Sequence, residues 1–274
     1  SVQVSLPAWL PVPFPKPFVD GLDMAKYYDQ VGGGIDGVSS FGKVTILGRS
    51  STGGSFWYYY IVSLFFKTPI TYMVLICWAG FVLARQRTIR EFFRREFFLV
   101  MPVLYYLLVF SFSYKTQCGL RHLIFILPLL YLLGSSLISF VHIFYQKAII
   151  GLLAIFLVVS VLGYWRNYYP YTNEFILKKE IAYRYVGASN LEFQQGRLFA
   201  EKYLERHPDV KLAGAQTSAG RYLINTSDYL DIWNRHQFDW LKRYKPVGHV
   251  AYNWLLIDVP AEKHGENKTS DDRR

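Results

Sequence analysis

The chain has 274 residues, of which 52% are hydrophobic and 18% aromatic, with a formal net charge of +10. That charge does not mark a nucleic-acid binder: residues 166–274 carry 17 Lys and Arg against 14 Asp and Glu, interspersed. Zinc-finger spacing, a glycine-rich phosphate loop and a stacked basic face are all missing from the sequence.

Residues 1–54 are first proline-rich ("LPAWLPVPFPKPF") and then glycine-rich ("VGGGIDG", "STGGS"). Proline sets extended or turn geometry and glycine punctuates turns, so residues 1–55 read as an external loop segment. The sequence opens on Ser without a signal-peptide pattern, and a segment placed outside in this way reads as the C-terminal part of a longer protein. The apolar runs come next. "SFWYYYIVSLFF" suits a membrane interface, where Trp and Tyr prefer to sit. Pro69 to Ala84, Phe97 to Ser113, Leu123 to Phe144 and Ala148 to Trp165 each approach the roughly 20 apolar residues that cross a hydrocarbon core. Together they predict an α-helical integral membrane protein with about four transmembrane helices over residues 56–165.

Orientation follows from the short loop "RQRTIREFFRREFF", whose Arg85, Arg87, Arg90, Arg94 and Arg95 place it on the cytoplasmic side. The flanking segments then alternate. Residues 1–55 and 166–274 fall outside, and Arg121 and His122 fall at the external membrane boundary. Localisation is therefore multi-pass in a plasma, inner or ER membrane. Cys77 lies mid-membrane and Cys118 in an outer loop, a poor placement for a disulfide.

Beyond Trp165 the pattern is that of a small external α/β domain. Ser189 and Glu192 fit a capping box opening a helix that Pro208 ends. "VKLAGA" reads as a strand, "NRHQFDWLKRYKP" as an amphipathic helix and "GHVAYNWLLIDV" as an alternating strand. The tail "EKHGENKTSDDRR" has a disordered composition. The histidines show no metal-ligand spacing, and His207, His236 and His249 are isolated in sequence.

Four stretches stand in a recognisable order: "FWYYYIVSLFFKTP", "GLRHLIFILPLLYLLG", "YVGASNLEFQQGRLFAEKYL" and "WLKRYKPVGHVAYNWLLIDV". This order resembles the C-terminal half of GT-C type membrane glycosyltransferases, similar to the protein O-mannosyltransferase group (family 39) and its bacterial relatives. Lys67-Thr68-Pro69 matches the end of that family's aromatic run, and Gly119-Leu120-Arg121-His122 matches its membrane-entry motif. In Ser-Asn-Leu-Asp-Trp-Gly-Gln, Ser189, Asn190, Leu191 and Gln195 agree, Glu192 and Phe193 are conservative, and Gln194 replaces a glycine.

The resemblance implies transfer of a sugar from a polyprenyl-phosphate carrier on the external face. It implies partners in the membrane lipid, the carrier and an N-terminal remainder that would hold the catalytic acid. No cofactor beyond the lipid-linked sugar donor, no metal and no nucleic acid are expected. By resemblance Arg121, His122 and Lys67 would bind the carrier phosphate, Arg121 through two parallel hydrogen bonds. Their other reading is interfacial: Arg121 and Lys67 as snorkelling anchors and His122 as a helix cap. Asn190, Glu192 and Gln195 are candidates for sugar or acceptor contact, against a capping role for Glu192 and plain surface polarity for the other two. A non-catalytic, membrane-anchored binding or structural protein is the competing function.

Overall fold

The computed structural model describes residues 14–31, 43–52, 55–86, 88–115, 117–214, 218–233 and 235–261. Most of the proline-rich start, the glycine run at 32–34, Arg87 and the polar tail lie outside them.

Helix α1 (Lys16–Val31) occupies part of the segment read as a loop. Pro15 and Pro17 fall at its start, where a missing N–H leaves no helical bond unmade. A hairpin follows, β1 (Lys43–Ile46) and β2 (Arg49–Thr52), closed by Leu47 and Gly48, both at positive φ as a two-residue turn demands. The helices that follow are α2 (Tyr59–Lys67), α3 (Ile70–Gln86), α4 (Ile89–Arg94), α5 (Phe97–Phe112), α6 (Ile126–Ser135) and α7 (Phe144–Leu162), all but α4 strongly apolar. Tyr59, Tyr60, Val103, Leu120, Leu123 and Ile126 form a buried cluster between α2, α5 and α6, with Ile46 of the hairpin at its edge.

The expected α-helical membrane protein with about four transmembrane helices is overturned here. Among the described residues only α7 is long and apolar enough to cross a membrane; α2 and α3 pass together, but bent by 109°. Each remaining expected span has a local reason to fall short. Helix α5 ends after 16 residues, about 24 Å of rise against about 30 Å of hydrocarbon. The run from Leu123 breaks up into a 3-10 turn (Leu120–Leu123), α6 and a second 3-10 turn (Ser136–Phe140). At that second break Ser135 and Ser136 donate their hydroxyls to the carbonyls of Leu132 and Leu133, at 2.8 and 2.6 Å, in competition with the helical ladder.

The C-terminal part contains α8 (Ala182–Val186), α9 (Arg197–Arg206), β3 (Val210–Leu212), β4 (Gly220–Asn225), α10 (Thr226–Leu230), β5 (Pro246–Val250) and β6 (Trp254–Val259). Its sheet runs β3-β4-β6-β5, with β3 parallel to β4 and the other pairs antiparallel. The stretch read as one alternating strand is thus two, joined by a turn in which Ala251 and Tyr252 take positive φ. The stretch read as an amphipathic helix holds a 3-10 turn, Asp239–Arg243. One sheet face buries Tyr222, Ile224, Leu255 and Ile257 against Ile176, Tyr183, Val186 and Leu191. Phe66 at the far end of α2 packs on this same cluster, so α2 connects the helical core to the sheet core. The β5–β6 turn docks on the exit of α7, where Tyr252 donates to the Gly163 carbonyl (2.6 Å) and its ring lies 4.2 Å from that of Tyr164.

Candidate functional site

The site is built around α2, and proline chemistry sets its shape. Pro69 cannot continue the helix and biases Thr68 to extended geometry, which Thr68 adopts at ψ 129°. Carbonyls at the end of α2 are thereby left without helical partners. Asn173, fully buried, supplies them: its amide donates to the carbonyls of Phe65 (2.6 Å) and Thr68 (3.0 Å), and its backbone N–H to Phe66 (2.8 Å). The Lys67 ammonium reaches past the bend and donates to the carbonyls of Asn190 (2.8 Å) and Tyr169. These bonds hold the residue read as a phosphate ligand at a junction of three chain segments.

At the other end of α2, Tyr59 is fully buried and its hydroxyl gathers two motifs. It accepts from the Gly119 N–H at 2.9 Å and pairs with the Ser189 hydroxyl at 2.9 Å. Asn190, 1% exposed, completes the joint. Its side-chain oxygen accepts from the Leu120 N–H at 2.8 Å, and its NH2 group points at the Val186 carbonyl, the Ser63 hydroxyl and the Tyr59 oxygen. Gly119 has to be glycine twice over. Its φ is +88°, and a Cβ there would stand 2.6 Å from the Ser189 carbonyl oxygen.

This close approach sets Arg121 on the rim. Its guanidinium is exposed and lies 4.0 Å from the ring centroid of Phe193. The charge also reaches Tyr169 and Cys118. Burial pushes the Tyr169 phenol up to about 12 while Arg121 pulls it down, and the Cys118 thiol, raised by burial, is opposed by the same charge and by a hydrogen bond from Arg121. Tyr169 closes the cluster, its ring 5.8 Å from Phe193 and its hydroxyl donating to the Ser189 carbonyl at 2.7 Å. His122 turns away from Phe193 toward Tyr114, their rings 5.5 Å apart.

Ser189 and Glu192 form no capping box, because α9 begins only at Arg197 and Ser189 is bonded to Tyr59. Glu192 instead sits in an irregular turn, 5% exposed, accepting from the Gln194 N–H and from the Asn253 amide. Burial raises its carboxyl to about 7, against the lowering effect of those two hydrogen bonds. Gln195 closes the turn on itself: its side chain accepts from the Phe193 N–H at 2.6 Å and donates to the Leu191 carbonyl at 2.9 Å. Gln194, between them, has φ +65°. Glycine is the residue that this conformation favours.

Tyr59, Asn173 and Asn253 were not foreseen as site residues, although each holds part of the junction. A tyrosine in an aromatic run and lone asparagines far downstream carry no spacing signal. The fold also brings together Asp231, His236 and Asp239, which the sequence showed only as scattered residues. No family model matches the chain, and no curated protein and no solved structure matches it either.

Proposed function

We propose that this chain is the carrier-binding part of a membrane glycosyltransferase that uses a polyprenyl-phosphate sugar. One observation carries the reading. "FWYYYIVSLFFKTP", "GLRH" and "SNLEFQ" share one hydrogen-bonded junction through Tyr59, Lys67, Gly119 and Asn190, and "VGHVAYNW" joins it through Asn253 on Glu192. Motifs that matched the family one at a time are thus parts of a single object. On its rim stands Arg121, a planar cation stacked on Phe193 and suited to phosphate oxygens. The left-handed Gln194, where the family pattern carries glycine, supports the same reading.

The roles divide along the geometry. Arg121 is the phosphate ligand and His122 its neighbour, while Lys67 serves the phosphate indirectly by fixing Asn190 and Tyr169 beneath it. Glu192, beside Phe193, is the acceptor-side acid. Helix α7 is the membrane anchor, with the C-terminal sheet on the external side, and catalysis uses an acid from the N-terminal part of the enzyme.

The test is binding of undecaprenyl phosphate to the full chain in nanodiscs. Both Arg121→Ala and Arg121→Lys should weaken it about tenfold or more, since each loses a bidentate, charge-assisted contact of about 1.5 to 3 kcal/mol. Wild-type affinity in Arg121→Lys would refute the clamp and favour a membrane-anchored binding protein.

A further inference from the structure

The turn after α10 gathers three metal-ligating side chains that lie apart from the Arg121 site in function and in sequence. Asp231, His236 and Asp239 each present a ligand atom, and these atoms all lie within 4.8 Å of one another. His236 Nδ1 is 2.7 Å from Asp239 Oδ2 and 3.7 Å from Asp231 Oδ2. Ligands held about 2.1 Å from a tetrahedral zinc sit roughly 3.4 Å from each other, and the two observed separations fall on either side of that value. Only side-chain adjustment separates the present arrangement from a coordinating one.

Proximity alone would be weak, because acidic residues gather near His and Lys without any ion. The decisive feature is Asp231. It is 5% exposed, and its Oδ1 is satisfied by the N–H groups of Arg235 (2.8 Å) and His236 (3.2 Å). Its Oδ2 is buried and has no hydrogen-bond partner among the described residues. A buried carboxylate oxygen left in this way is costly unless a cation meets it. Lys242 meets it only at the outer limit of an ion pair: its ammonium bonds Asp239 and lies 3.9 Å from Asp231 Oδ2.

Asp231 and His236 both take left-handed φ, 53° and 57°. We propose that Asp231, His236 and Asp239 form a divalent transition-metal site of the zinc class.

The donor set selects the metal. One imidazole and two carboxylates suit zinc and its neighbours, whereas calcium and magnesium take oxygen ligands throughout. Three protein ligands leave the fourth position open, and it faces solvent because His236 and Asp239 are 63% and 44% exposed. Lys242 then acts as a competing cation that gives way when the metal enters. A bound ion would cross-link Asp231 and His236 to the 3-10 turn that packs Leu241 into the sheet core.

The experiment titrates Zn2+ alone into the full chain against a chromophoric chelator, and records thermal melting with and without zinc. Wild type should bind one equivalent and gain melting temperature. His236→Ala, a change at an exposed side chain that leaves the fold intact, should weaken binding at least about tenfold and abolish the thermal gain. His207→Ala should bind as wild type does. Lys242→Met should tighten binding, because the competing ammonium is gone. Unchanged affinity in His236→Ala, no saturable equivalent in wild type, or weaker binding in Lys242→Met would each overturn the site.

Discussion

Replacing Glu192 with Gln tests whether its carboxyl is held neutral in the fold. Burial raises this group from an ordinary 4.5 to about 7. The sign follows from linkage. Below pH 4.5 the group is protonated whether the chain is folded or unfolded, and the stabilisation is complete. Between 4.5 and 7 the unfolded chain releases its proton while the folded chain keeps it, so stability falls as pH rises. Above 7 both states are ionised and the loss is flat. The gap corresponds to roughly 3 kcal/mol, a net figure that already contains the lowering effect of the two hydrogen bonds. Gln at this position cannot ionise, and the pocket can receive it. Its oxygen takes the Gln194 N–H, and its NH2 can donate to the Asn253 oxygen, which is buried without a partner, once that amide rotates. Denaturant unfolding of both proteins in micelles, from pH 4.5 to 8, should show Glu192→Gln gaining on wild type by up to about 3 kcal/mol, with the whole gain appearing between pH 4.5 and 7. Parallel curves for the two proteins would refute a neutral Glu192, since every other titrating group is common to both.

Gln194→Gly should raise stability by up to about 1 kcal/mol, because it removes left-handed strain, while Gln194→Val should lower it; the reverse order in denaturant midpoints would show that the turn does not need glycine-like geometry. Lys67→Met should cost roughly 1 to 3 kcal/mol, as the Tyr169 and Asn190 carbonyls lose their shared donor, whose pKa burial lowers to about 7. A variant with unchanged melting but poor carrier binding would return Lys67 to the role of direct phosphate ligand.

The sequence disclosed the ends of these arguments better than the middles. Proline at position 69 cannot continue the helix that precedes it, and the break falls there. The close approach at Gly119 and Ser189 depends on the lack of a Cβ at Gly119 opposite a residue 70 positions away, which no local pattern encodes. Asn173 and Asn253 act through hydrogen bonds to residues far away in sequence, and a lone asparagine looks the same whether it caps a broken helix or faces water. The capping-box reading of Ser189 and Glu192 failed for a related reason. The motif predicts a helix only if nothing else competes for its side chains, and Tyr59 and Asn253 did.

The span count failed on different physics. Apolar length was read as though every residue in a run continued one helix. Hydropathy does not register that Ser135 and Ser136 bond back to the preceding turn, or that Gly134 lets α6 approach Ile76 of α3 so closely that a Cβ would stand 3.3 Å from it. Those two features convert a run long enough to span into a short helix packed on its neighbour. In α7 the difference is visible at once: none of its residues is buried, its contacts with α3 include the Thr71 hydroxyl on the Leu153 carbonyl and Ile150 beside Ala79, and it keeps its full 19-residue length. The same apolar composition thus gives a candidate span where the helix stays exposed and a broken, packed element where small and hydroxyl residues invite contact. For the site this matters directly, because the packed elements α2, α5 and α6 bury Leu120 and Leu123 and so fix Arg121 between them at the surface.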